Sequence, residues 1–266
     1  MNALITFGCS WTKGKFSWYD PNILKYTEMS GQDMQRHDPQ EVHEYCFRTI
    51  LSRRHDYTNI NLAAGGSSNQ KQFRLAEEYF NTDDYKKYNN VIILWGITST
   101  ARLDVWDNKR NKYKNFHLTK LPNLQWAMDH YNHDVEVKRL STQMQHWDNY
   151  FKMIGVKNYW FDTFNHHNYT YDSPNMIMPH KKSRDLMSNL CIDMGYNSSM
   201  NIKAVTAQLL ENQERFYGYH HSTWRLDDDR IKFLLKKNLV NPITHHPNRQ
   251  CSILLADILD KQISWT

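Results

Sequence analysis

Four short apolar runs interrupt an otherwise polar chain: LITF at 4–7, YTNINL at 57–62, NVIILW at 90–95 and NYWF at 158–161. Each is bounded by glycine or polar residues, and runs of this length suit strands covered on both faces of a sheet. Between and after them, apolar positions recur at helical spacing. The stretch QKQFRLAEEYF at 70–80 follows a Ser67-Ser68-Asn69 cluster that can cap a helix. At 140–154, Met144, Trp147, Tyr150, Phe151 and Ile154 recur at helical intervals, and Gly155 ends the run. Two more helices are predicted at 227–237 and 248–262. Strand and helix in alternation predict an α/β fold, a three-layer α/β/α sandwich around a short, mostly parallel sheet. Two stretches break the alternation. Residues 15–45 read as loop with some helix, and residues 165–225, rich in Asn, His, Tyr and Met, read as a helical insertion or lid. No repeat, low-complexity tract or linker divides the chain, so one domain over 1–266 is expected.

The ends of the strands carry the candidate chemistry. The first strand ends in Gly8-Cys9-Ser10, the second in Gly65-Gly66-Ser67-Ser68-Asn69, and the third in Gly96-Ile97-Thr98-Ser99. Thr244-His245-His246-Pro247-Asn248 stands just before the last helix. In an open parallel sheet, ligands bind beyond the carboxyl ends of the strands. A serine, a glycine turn, a small polar turn and a late histidine are what acyl transfer requires: a nucleophile, a proton acceptor and oxyanion donors. Each residue also has a plainer role. Ser10 at a strand tip can start a helix, Gly66 can serve a tight turn, and His246 can be a surface residue before a proline. His245 rivals His246, because neighbours on an extended chain point opposite ways.

In order and wording these blocks resemble the SGNH hydrolases, the GDSL esterase/lipase family. Gly8-Cys9-Ser10-Trp11 matches the nucleophile block, with Cys9 in place of the usual aspartate. Residues 61–69, NLAAGGSSN, match the block that supplies an oxyanion glycine, here Gly66. Gly96-Ile97-Thr98 occupies the third block, with Thr98 where the family has asparagine. His246-Pro247 occupies the last block, with Ile243 where the family has aspartate. FGCSWT, the run from Trp95 to Arg102 and HHPN are similar in style to a divergent, phage-like branch. The resemblance implies an SGNH-hydrolase/flavodoxin-like fold. It also implies a serine ester hydrolase with Ser10 as nucleophile, His246 as base, and the N–H groups of Ser10 and Gly66 as oxyanion donors. Thr98 or Asn69 replaces the missing asparagine, a donor worth about 10²–10³ in rate. The run Asp227-Asp228-Asp229 is a source for the missing carboxylate. Trp11, Arg102 and His245 are possible substrate or support residues.

Composition narrows the field further. The formal charge of +5 is spread over short pairs such as Lys86-Lys87, Lys181-Lys182 and Lys236-Lys237, so no nucleic-acid face is indicated. The four cysteines form no CxxC pair, and the His-His pairs at 166–167, 220–221 and 245–246 lack zinc spacing, so no metal or cofactor is expected. No segment is long and apolar enough to span a membrane, and no secretory leader is visible. Synthesis in a cytoplasm is expected, with a place on a larger particle such as a virion left open. Trp11, Trp18, Tyr19, Trp95, Trp106 and Trp126 include core residues, and some could form a platform for sugars. The leading expectation is therefore an esterase that removes small acyl groups such as acetyl from carbohydrate. The competing one is an SGNH-like binding or structural module of a phage particle with little or no catalysis, since two family side chains are missing. Neither the substrate nor the oligomeric state is legible.

Overall fold

All four apolar runs are strands of one parallel sheet. The computed structural model describes residues 1–14, 17, 44–117, 131–163, 167–177, 185–195, 228–240 and 246–266. Its strands are β1 (Asn2–Phe7), β2 (Tyr57–Asn61), β3 (Asn90–Ile97) and, after a hairpin of β4 (Arg102–Asp107) and β5 (Lys112–His117), β6 (Lys157–Asp162). The sheet order is β2-β1-β3-β6, with every pairing parallel. The helices are α1 (Ser10–Lys13), α2 (Phe47–His55), α3 (Asn69–Phe80), α4 (His133–Ile154), α5 (Leu186–Asp193), α6 (Asp228–Lys236) and α7 (Arg249–Asp260).

The two-residue period of a strand sorts the core into two layers. From β1 and β3, Leu4, Ile92 and Leu94 join one buried cluster, with Phe47 and Leu51 of α2, Leu190 of α5, Leu234 of α6 and Leu255 of α7. Ala3, Ile5, Phe7, Val91, Ile93, Trp95 and Ile97 join the other, with Phe73 and Phe80 of α3 and Met144, Trp147 and Phe151 of α4. Helices thus cover both faces, which is the predicted three-layer α/β/α sandwich. Trp95 stacks between Phe7 at 4.4 Å and Trp160 at 4.8 Å, at the middle of the second layer. Burying an aliphatic or aromatic side chain of this kind contributes about 1.5–3 kcal/mol.

Local signals start and stop the helices. Ser68 Oγ accepts from Lys71 N at 3.1 Å and caps α3, as the polar cluster predicts. Asn248 Oδ1 accepts from Cys251 N at 2.9 Å and caps α7. Gly155 closes α4 at φ 70°, where a side chain would be strained.

Two elements were not foreseen. Helix α2 lies inside a stretch with a weak apolar pattern, and only Phe47 and Leu51 of its apolar residues are fully buried. The β4–β5 hairpin is half exposed, so it lacks the continuous apolar run of the central strands. Its turn is made by Asp107, whose Oδ1 accepts from Lys109 N and Arg110 N at 3.0 and 3.2 Å, and by Asn111 at φ 50°. Of the proposed insertion at 165–225, residues 167–177 run beside β6, where Ile177 N donates to Trp160 O at 2.8 Å, and residues 185–195 carry α5. The rest of that stretch, and most of 15–45, lies outside the described residues. Among the described residues no helix is long and apolar enough to cross a membrane.

At the amino end of the sheet the C-terminal segment closes the molecule. Trp265 stacks on His55 at 3.9 Å and donates through Nε1 to Asp260 Oδ1 at 2.8 Å. His55 Nε2 meets the same carboxylate oxygen at 2.6 Å. The opposite, carboxyl end is where the candidate residues gather.

Candidate active site

The chain runs from β1 to β2 on one side of the sheet and then returns to β3 on the other side of β1. The strand order therefore reverses between β1 and β3, and a crevice opens beyond the carboxyl ends of these two strands. Ser10 sits at the end of β1, as the first residue of α1. Cys9 precedes it in extended conformation, and its carbonyl accepts from Lys13 N at 2.9 Å. The N–H groups of the first helical turn have no partner within their own helix, and the Ser10 N–H is one of these.

Thr12 fixes the seat of α1. A Cβ built on Gly8 would come within 2.1 Å of Thr12 Oγ1, and one on Gly96 within 2.0 Å of the same atom. Both glycines therefore give Thr12 room to lie between β1 and β3, which brings the Ser10 turn down onto the sheet. Gly96, read as part of the third block, acts here through its missing side chain.

His246 arrives from the other end of the chain. Its Nε2 lies 2.8 Å from Ser10 Oγ. Pro247 pairs with Val240 in an isolated antiparallel bridge, and Asn248 N donates to Leu239 O at 3.1 Å. These contacts and the α7 cap hold the residues that follow His246. The Trp11 ring lies 5.9 Å from the imidazole, tilted by 44°. Ser10 is nearly buried, whereas His246 is half-buried.

The turn after β2 docks on the end of β1 through Ala64 N, which donates to Gly8 O at 2.9 Å. Gly66 lies in this turn at φ 69°, in the left-handed region. Asn69 grips the third block. Its Oδ1 accepts from Thr98 N at 3.0 Å, and its Nδ2 donates to Thr98 O at 2.9 Å. One amide hydrogen of Asn69 is thus committed to the backbone. The Thr98 Oγ1 is buried without a hydrogen-bond partner among the described residues. Arg102 begins β4 and is buried. His245 and Asp227 lie outside the described residues, and Asp228 and Asp229 are described only as backbone of α6.

The sequence did not single out the histidines behind Thr98. His167 Nε2 lies 3.2 Å from Thr98 O, and since a carbonyl only accepts, that nitrogen carries the hydrogen. His167 N donates to Asp162 Oδ2 at 3.4 Å, and Tyr169 OH donates to the other oxygen of that carboxylate. His133 Nδ1 meets Thr100 Oγ1 at 3.2 Å. Burial pushes the His133 pKa down, against the opposing field of Asp134, so the ring is neutral at pH 7. The only sequence signal for His167 was its place in a His-His pair, which loop histidines share. Among the described residues no cluster of His, Cys, Asp or Glu could hold a metal ion.

No family model matches the chain, and no curated protein does. Among solved structures, one similar chain is LAE5, an alpha/beta hydrolase enzyme from the metagenome of Lake Arreo, Spain. It is 14% identical, with a TM-score of 0.41 over 98% of this chain and 94% of that one. Any function must therefore rest on the geometry of the site itself.

Proposed function

We propose that the chain is a serine ester hydrolase of SGNH type, acting on small acyl esters such as acetyl groups on carbohydrate. The observation that carries this reading is the 2.8 Å contact between Ser10 Oγ and His246 Nε2 at the switch point of a parallel sheet. With the proton on Nδ1, the imidazole accepts the serine proton through Nε2. Ser10 Oγ then attacks the acyl carbon, and the carbonyl electrons move onto oxygen. The N–H groups of Ser10 and Gly66 stabilise that oxyanion, with the Thr98 hydroxyl or the second amide hydrogen of Asn69 as a further donor. As the tetrahedral species collapses, the imidazolium gives its proton to the leaving alkoxide, which departs as the alcohol. Water, deprotonated by the same imidazole, attacks the acyl-enzyme and releases the acid and free Ser10.

Several features support this use of the site. Thr98 is held by Asn69 and His167, which fixes the carboxyl end of β3, the strand paired with β1. The Thr98 hydroxyl, which has no hydrogen-bond partner among the described residues, has a donor for a substrate oxygen. No cofactor is required, and the whole chain is read as one domain.

Labelling with a fluorophosphonate tests the reading. Wild-type protein should be labelled, and Ser10→Ala and His246→Ala should not. A folded wild type that resists both the probe and 4-nitrophenyl acetate would instead favour a non-catalytic binding module.

A further inference from the structure

A second concave feature lies outside the Ser10–His246 pair, between α3, α4 and the β4–β5 hairpin. It encloses about 450 Å³, and neither Ser10 nor His246 lines it. Asn69 and Thr100 do, so the cleft begins at the same carboxyl edge of the sheet as the candidate active site. Phe73 and Leu140 line it with apolar surface, and Arg74, Glu77, Asp104, Glu136 and Arg139 are its charged residues.

The charges are largely matched within the cleft. Arg74 bonds Asp104 at 2.9 Å and Glu78 at 3.1 Å, and Arg139 bonds Glu136 at 2.6 Å. Paired charges of both signs disfavour a strongly charged ligand, which would meet one repelling partner of each pair. They still present many fixed donors and acceptors. Beside them, the hairpin exposes aromatic rings. Trp106 and Tyr113 are 45% and 48% exposed, although core aromatics of this chain such as Trp95 and Trp160 are fully buried. The two are register partners across the hairpin and meet edge to face at 5.1 Å. Tyr113 also lines the cleft and carries the Arg74 guanidinium 4.6 Å from its ring centre.

Flat, exposed rings next to fixed hydrogen-bonding groups of both kinds match a ligand with apolar C–H faces and many hydroxyls. We infer that the cleft between α3, α4 and the hairpin is a subsite for a neutral oligosaccharide, with Tyr113 in its wall and the neighbouring Trp106 on the hairpin as two separate stacking rings. This rests on the reading of the chain as an esterase acting on carbohydrate, and it names where the sugar chain lies. Asn69 and Thr100 join the subsite to the edge at which Ser10 stands.

The test uses binding, so that it is independent of turnover. Neutral xylo-, cello-, manno- and chito-tetraose are titrated into the Ser10→Ala protein by calorimetry, with a digalacturonate as the anionic comparison. At least one neutral sugar should bind. Trp106→Ala and Tyr113→Ala, made in the Ser10→Ala background, should each weaken that binding about tenfold while leaving the melting temperature close to that of the parent. Binding of none of the neutral sugars, binding of the anionic sugar alone, or neutral binding unaffected by both variants would overturn the subsite. Failure of fluorophosphonate labelling in the wild type would instead strike the esterase reading, and the two results are read from separate experiments.

Discussion

His246 Nε2 meets Ser10 Oγ at 2.8 Å although the two residues stand 236 positions apart. Contact at this distance lets one proton pass between them without further motion of either side chain. Substitution of either partner should therefore act on the chemical step. Ser10→Ala and His246→Ala are each expected to lower the turnover of 4-nitrophenyl acetate by about 10⁴-fold or more, and the double variant should be little worse than either single one. Steady-state kinetics on the three variants checks this. Additive losses would mean that the two residues do not act as a unit.

Thr12 predicts a less obvious sensitivity. A methyl group on Gly96 would meet Thr12 Oγ1 at 2.0 Å, while Phe161 Cζ stands at 3.0 Å. Gly96→Ala should therefore push α1 off the sheet, at a cost of about 1–3 kcal/mol, and misplace Ser10. Removing the hydroxyl with Thr12→Ala in the same chain should restore part of both stability and fluorophosphonate labelling. A double-mutant cycle on denaturation midpoints reads the coupling, and independence of the two changes would contradict the packing described here.

Asp148 anchors the far side of the second helical layer. Its Oδ1 accepts from Asn158 Nδ2 at 2.6 Å, Trp160 Nε1 at 2.8 Å and Asn175 Nδ2 at 3.0 Å. Its Oδ2 accepts from Tyr171 OH at 2.9 Å and Ser173 Oγ at 2.5 Å. One carboxylate thus joins α4, β6 and the segment 167–177. Asp148→Ala leaves these donors without their acceptor and should cost about 3 kcal/mol or more in urea denaturation. Asp148→Asn should rescue in part, because its amide oxygen can keep the three N–H donors while its NH2 donates to the Tyr171 and Ser173 hydroxyls, which must turn to accept. A near-neutral Asp148→Ala would show that water replaces the carboxylate.

Tyr171 gives the alkaline limit a direction. Burial, followed by its bond to Asp148, raises its pKa from 10.0 to about 12. The unfolded chain loses this proton near its ordinary value, before the folded one does. The contribution to stability is full below pH 10 and is lost as pH rises toward about 12. Melting temperatures between those limits should fall less steeply in Tyr171→Phe than in the parent.

Asp260 acts at the acid end. Burial alone would raise its pKa, but the bonds from His55, Arg54 and Trp265 outweigh it and bring the value below 3.8. Its contribution is therefore present above that pH and is lost as pH falls through the lowered value. Asp260→Asn should lower the melting temperature at neutral pH and flatten its decline in acid. An unchanged acid slope would mean that the His55–Asp260–Trp265 lock adds little.

The sequence by itself determined the sheet and most of its covering helices. β1, β3 and β6 were legible because strands covered on both faces carry apolar runs, β2, a half-buried edge strand, from its short YTNINL run before the Gly65-Gly66 turn, and α3, α4 and α7 because their caps and helical spacing are local. Ser10 and His246 were legible only as separate block positions; nothing along the chain measures the gap between them. The β4–β5 hairpin was hidden because a half-exposed strand carries no continuous apolar run, and its turn relies on Asp107 and Asn111 in place of a glycine. Tertiary structure alone decided that Gly8 and Gly96 share one obligation to Thr12, that Asn69 spends its amide on Thr98, and that His167 stands behind them. Those relationships join residues from different strands. They are set by the order in which the strands are laid side by side, and that order is a property of the packed sheet that no single segment contains.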